Sequence, residues 1–132
     1  VSPFSHAFLR VIGSSGTTLI LEGGPDPSKS KMEVATGKAK LQARVSSPNS
    51  LQWSDAPNAS TLWNTLKGSD WCDEVDGMIA LTANFNRTHS NVIYNGAKGP
   101  NSNSFAHWVL AEVGLEWQAP GRNVPGWNTP LP

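Results

Sequence analysis

Apolar positions cluster in a few short runs along this chain, and the polar residues between them are mostly turn formers. Residues 6–12, HAFLRVI, and 17–24, TTLILEGG, are rich in β-branched and apolar side chains, and GSSG at 13–16 joins them. This pattern predicts a β-hairpin. Pairing Ile12 with Thr17 sets Arg10 opposite Leu19, Phe8 opposite Leu21 and His6 opposite Gly23. Both faces are then largely apolar, so both are expected to be covered. GGPDPSKSK reads as turn and loop. KLQARV at 40–45 predicts a short strand, and SSPNSLQWSDAPN, interrupted by Pro48 and Pro57, predicts irregular chain.

The second half changes period. Ser60 is placed to cap a short helix, TLWNTLK, that stops at Gly68. Asp70 is placed to cap a longer one, in which Trp71, Val75, Met78, Ile79, Thr82 and Phe85 recur at helical spacing and Asp73 and Glu74 suit the first turn. NVIYN at 91–95 reads as extended. GPNSNSFAHWVL at 99–110 reads as a Gly-Pro turn, an Asn/Ser cap and an amphipathic helix ending near Gly114. Ser102, Phe105, Ala106, Val109 and Val113 fall on one face of it. The tail PGRNVPGWNTPLP is too proline-rich to hold itself by its own backbone hydrogen bonds. Strands and helices occur in segregated runs, so the expected class is α+β.

Composition narrows the picture. A chain of 132 residues favours one domain spanning 1–132. Ten Lys plus Arg balance ten Asp plus Glu, so no net field draws it to nucleic acid or anionic lipid. No apolar run reaches the roughly 18 residues of a transmembrane helix. The first residues lack an initiator Met and a signal-peptide pattern, so the domain is expected to be excised or processed from a longer polypeptide. One cysteine, Cys72, cannot make an internal disulfide or a cysteine-based zinc site, and the three histidines lack ligand spacing, so no metal or cofactor is expected.

Candidate chemistry gathers at the motif helix. Ser102 occupies its first turn on the core-facing side, where unpaired amides favour a developing negative charge. Equally, Asn101, Ser102 or Asn103 can serve simply as the cap. A histidine on an early strand, a glycine turn after the next strand and an Asn-x-Asn-[Ser/Thr/Asn]-Phe helix start together resemble the circularly permuted papain-like (NlpC-like) proteins. Within these, the PPPDE thiol peptidases carry Asn-Cys-Asn-x-Phe at the helix start. HAFLRV supplies His6, ILEGGPD resembles the strand and glycine turn, NSNSFAHWVLAEVGL supplies the helix, and APGRNVPGW resembles the proline-containing segment beyond it. A related bacterial group of unknown function carries Pro-Asn-Ser-Asn-[Ser/Thr]-Phe, with serine at the position. The likeness covers both ends of the chain and hardly touches residues 28 to 70.

The resemblance implies an antiparallel sheet packed against the helix that bears the nucleophile position. It also implies hydrolysis or acyl transfer at an amide or ester, with His6 as base and Ser102 in the place of the nucleophile. Asn103 would help with the oxyanion or orient the base, and the Asn103 and Ser104 amides would stabilise the oxyanion. Peptide, peptidoglycan or lipid-like substrates are the partners this allows, and bacterial secretion or delivery within a larger protein is the setting. Serine is far less acidic than a cysteine thiol and needs a well-placed base and oxyanion hole. The alternatives are therefore a serine hydrolase, a domain that has lost catalysis, or an introduced Cys-to-Ser change. The rival function is a catalytically inactive papain-like binding module of the toxin or effector kind.

Other residues rank below these. Glu22 is tempting as an orienting carboxylate, but in the register above it shares a face with Ala7, not His6. His107 lies about 140° around the helix from Ser102. His89 needs no special role. Acidic neighbours disfavour a Cys72 thiolate, so that residue is read as structural. Trp63, Trp71 and Trp108 are assigned to the core, and Trp53, Trp117 or Trp127 to a groove wall or the vicinity of the site.

Overall fold

The computed structural model describes residues 7–13, 15–48, 71–115 and 124–132. Among these, β1 (Leu9–Ile12), β2 (Thr18–Pro25) and β3 (Leu41–Ser46) form an antiparallel sheet in that order. Helices α1 (Lys31–Ala35), α2 (Cys72–Thr88) and α3 (Ser102–Glu112) complete the order β1-β2-α1-β3-α2-α3. The sheet packs against α2 and α3, α2 lying mainly on β3 and α3 on β2. The fold class is α+β, as the segregated runs predict.

The hairpin forms, one residue out of the expected register. Ile12 pairs with Thr18, Val11 with Leu19, Arg10 with Ile20 and Leu9 with Leu21. The turn explains the shift. Gly13 N–H donates to the Thr17 carbonyl at 3.1 Å, leaving three residues between them, and Gly16 adopts φ +82°. A three-residue loop with a left-handed glycine is a favoured hairpin closure, and it displaces the four-residue loop assumed from GSSG. Nor are both faces covered throughout. In β2 both Ile20 and Leu21 are buried, whereas in β1 Arg10 is exposed and Ile12 is 58% exposed.

Alternation sends Val11, Leu21 and Ala43 toward the helices, where they join Leu41, Met78, Phe85, Phe105, Ala106, Val109 and Leu110 in one core. Phe105 stands over Gly23: a Cβ there would lie 2.8 Å from the Phe105 Cβ, so the bare backbone lets α3 settle on β2. Phe85 meets Phe105 edge to face at 5.1 Å, in the geometry that aromatic quadrupoles favour. The periodic residues of α2 behave as predicted, with Met78, Thr82 and Phe85 buried and Val75 and Ile79 against the core.

The outer edge of β3 is closed by side-chain and backbone partners. The Asn86 amide receives the Ala43 N–H at 2.7 Å and donates to the Ala43 carbonyl at 3.1 Å. Leu41 N–H donates to the Val92 carbonyl, and Tyr94 N–H to the Ala39 carbonyl. NVIYN is thus extended, as predicted, and bridges to the start of β3.

Two boundaries differ from the sequence expectation. Trp71 is the N-cap of α2, with no side-chain cap bond, whereas Asp70 lies outside the described residues, as does the helix expected at 61–67. Helix α1 begins at Lys31, the last residue of the segment read as loop, and runs on through residues to which the sequence pattern assigned no element. Its signal is Ser30-x-x-Glu33, a capping box in which the Ser30 hydroxyl receives Glu33 N–H and the Glu33 carboxylate receives Ser30 N–H.

Candidate functional site

Asn101 organises the start of α3. Its backbone is extended and its Oδ1 accepts the N–H groups of Asn103 at 2.9 Å and Ser104 at 3.1 Å. Ser104 Oγ in return accepts Asn101 N–H, completing a capping box. Of the three capping candidates, the structure selects Asn101. This also corrects the expected oxyanion hole: the Asn103 and Ser104 amides are already donated to Asn101 Oδ1. The C-terminus closes with Gly114 N–H on the Ala111 carbonyl and Leu115 N–H on the Leu110 carbonyl, a Schellman pattern.

The proline-rich tail is held by this same helix start. Asn101 Nδ2 donates to the carbonyls of Gly96 and Pro125, Asn103 Nδ2 donates to Pro125, and Ser104 Oγ–H donates to the Gly126 carbonyl at 2.6 Å. Trp127 is buried, stacked on His107 with 4.6 Å between ring centroids. The Trp127 carbonyl accepts from His107 Nδ1, which therefore carries the proton. Trp127 thus belongs to the core beside the site, not to a groove wall. Trp108 and Trp71 are half-buried, Trp108 against the core, while Trp53, Trp63 and Trp117 lie outside the described residues.

Ser102 is the first residue of α3 and is 5% exposed. It shares this end of the helix with two other parts of the chain. Asn103 Oδ1 accepts the Ala7 N–H at 2.6 Å across 96 residues, tying the chain that leads into β1 to the first turn of α3. His6, the residue before Ala7, lies outside the described residues. On another side is Tyr94, whose phenol makes hydrogen-bonding contact with the Ser102 side chain. Burial pushes the Tyr94 phenol above its ordinary value, and the contact with Ser102 offsets this only in part.

Tyr94 went unremarked in the sequence because nothing in NVIYN sets it apart except that it is the chain's one tyrosine. Tyr94 also lines an open groove of about 750 Å³ between α1 and the 93–97 segment, together with Lys31, Val34, Ile93 and Gly96.

Glu22 is fully buried on β2, opposite Arg44 of β3. The corrected register places it on the side of Arg10 and Ile12, so the objection that it shares a face with Ala7 falls. His89 stacks on Phe85, with its Nδ1 at Thr88 Oγ1. Cys72 is exposed at the start of α2. Among the described residues no cluster of three His, Cys, Asp or Glu side chains could hold a metal ion, and no helix is long and apolar enough to cross a membrane. No family model, curated protein or solved structure matches the chain.

Proposed function

We propose that this chain is a permuted papain-like hydrolase or acyl-transfer domain acting on an amide or ester, with Ser102 in the nucleophile's place and His6 as base. The observation that carries the reading is the Ala7–Asn103 bond. It supports a meeting of the strand that follows His6 with the helix turn that bears Ser102, the pairing a base and nucleophile require. Asn103 then acts by positioning, since its amide holds both the Ala7 backbone and the Pro125 carbonyl. Peptide, peptidoglycan or lipid-like acyl groups fit this chemistry.

Fluorophosphonate should label Ser102, and in a Cys72→Ser background iodoacetamide near neutral pH should label Ser102→Cys, with His6→Ala abolishing both. Absence of both labels in folded protein would overturn the reading. A second reading has one observation in its favour. Asn101, Asn103 and Ser104 are all engaged in capping the helix and holding the tail, as a catalytically silent binding module of the toxin or effector kind would also need.

A further inference from the structure

Extended chain at the margin of a sheet turns a row of N–H and C=O groups outward, open to pairing with another extended chain. The segment that bridges to the start of β3 is such a margin. Leu41 N–H on the Val92 carbonyl and Tyr94 N–H on the Ala39 carbonyl bracket the Lys40–Ile93 bridge. In an antiparallel pair flanked this way, the two opposed residues point their own backbone groups away from each other. Lys40 does so: its carbonyl accepts Asp26 N–H at 2.9 Å from the chain that continues β2. Ile93 therefore turns its N–H and C=O to the outer side, where neither has a hydrogen-bond partner among the described residues. Ile93 is also 47% exposed.

Ile93 belongs to the lining of the groove between α1 and the 93–97 segment. That groove stays open because local bonds, not burial, hold α1 in place. The Ser30–Glu33 capping box starts the helix, Lys38 N–H on the Glu33 carbonyl closes it, and no α1 residue is buried. A volume of about 750 Å³ is ample for a ligand, with Pro25, Val34 and Ile93 as apolar walls and Lys29 and Lys31 as cations. Charge here is uneven. Residues 26–40 carry four lysines and two carboxylates. Asp26 accepts the Ser28 N–H and Oγ–H, and Glu33 accepts Ser30 N–H and faces Lys29 Nζ at 4.0 Å. Both carboxylates are thus satisfied by near neighbours. Lys31 has no ion pair among the described residues, so the groove keeps an unanswered positive charge.

We propose that the Ile93 edge and this groove form a docking site for an extended peptide segment of alternating apolar and acidic residues, added as a strand beside Ile93. One peptide residue exchanges two backbone hydrogen bonds with Ile93, which sets the direction and register of the added chain. Its apolar side chains fill the groove against Pro25 and Val34, and its carboxylates meet Lys31. Ile93 offers a donor and an acceptor one residue apart, which a peptide matches and the alkyl chain of a fatty acid leaves unmet. Charge complementarity selects an acidic segment over a basic one. Residues 101–104 do not line the groove, so the docking site stands apart from the hydrolase reading and does not depend on it.

The test is an NMR titration of the isotopically labelled protein with a capped hexapeptide alternating valine and glutamate. The Ile93 amide should shift saturably, together with its neighbours in the 93–97 segment. Lys31→Glu lies at an exposed first-turn position of α1, where an acidic residue suits the helix, so the fold is kept. It should weaken binding about fivefold, the effect of one exposed ion pair, as should lysines in place of the peptide's glutamates. N-methylation of the peptide's backbone amides should abolish the Ile93 shift. The proposal is overturned if no saturable shift falls on 93–97, or if affinity is indifferent to Lys31→Glu. An N-methylated peptide that binds as well as its parent overturns strand addition. Decanoate shifting these amides where the peptide does not would make a small amphiphile the occupant. An Ile93 amide that moves with protein concentration alone would make it a second copy of the chain, and either result also overturns the proposal.

Discussion

Gly126 and Asn101 are in contact so close that a Cβ on the glycine would lie 2.5 Å from Asn101 Nδ2 and 2.7 Å from its Oδ1. Gly126 also has φ +83°. The tail therefore reaches the helix cap only because position 126 carries no side chain. Its left-handed backbone alone makes alanine unfavourable by about 1–2 kcal/mol, and the collision with a fully engaged amide adds to it. Gly126→Ala should lower stability by about 2–5 kcal/mol in a denaturant melt, since overpacking adds about 1–3 kcal/mol to the backbone cost. A variant as stable as the parent would mean the tail is not seated on Asn101.

Phe105 and Asn101 carry different kinds of stabilisation. Phe105 is fully buried against Gly23, Phe85 and the rest of the core, so Phe105→Ala should cost about 3–5 kcal/mol. A simple cap would cost about 1 kcal/mol. Asn101 is more than a cap: it accepts two helix amides and donates to two carbonyls while itself 2% exposed. Asn101→Ala should therefore cost about 2–3 kcal/mol, since buried partners are left unsatisfied. Asn101→Asp keeps the helix-amide acceptor but turns a buried carboxylate oxygen toward the Gly96 and Pro125 carbonyls, so it should cost at least as much as Asn101→Ala. Denaturant melts of the three variants give the order, and an Asn101→Asp protein as stable as the parent would refute it.

The hairpin register is open to a direct chemical check. Ile12 and Thr18 are opposite one another, and cysteines at both, with Cys72→Ser, should form a disulfide under mild oxidation. Cysteines at 12 and 17, the pair that a four-residue turn would oppose, should crosslink more slowly. The reverse order would restore the sequence-based register.

What the sequence shows and hides here follows from the range of each interaction. The period of α2 and the apolar face of α3 depend on residues a few positions apart, and both helices lie where spacing puts them. The turn at GSSG depends on which residue takes the left-handed conformation, a choice that composition alone leaves open, and one misplaced residue moves every partner in the hairpin. Helix α1 was legible in Ser30 and Glu33, but surrounding prolines and glycines masked it. At the site, Asn101 as cap was within reach of local rules. Tyr94 beside Ser102, Ala7 on Asn103 and Gly126 on Asn101 were not, because each joins segments that no periodicity links.

The Tyr94–Ser102 contact can be followed by alkaline titration. Tyr94 is the chain's one tyrosine, so phenolate absorbance reports this residue alone. Burial raises its midpoint above that of the unfolded chain, while contact with Ser102 pulls the other way. The folded protein therefore holds the phenolic proton more tightly than the unfolded chain does. The resulting contribution to stability is complete below the unfolded midpoint and is lost as pH rises through the folded one. Ser102→Ala removes the opposing contact and should move the folded midpoint higher still. Tyr94→Phe should flatten the decline of stability over this alkaline window. An unchanged or lower midpoint in Ser102→Ala would separate the two side chains and remove Tyr94 from the site.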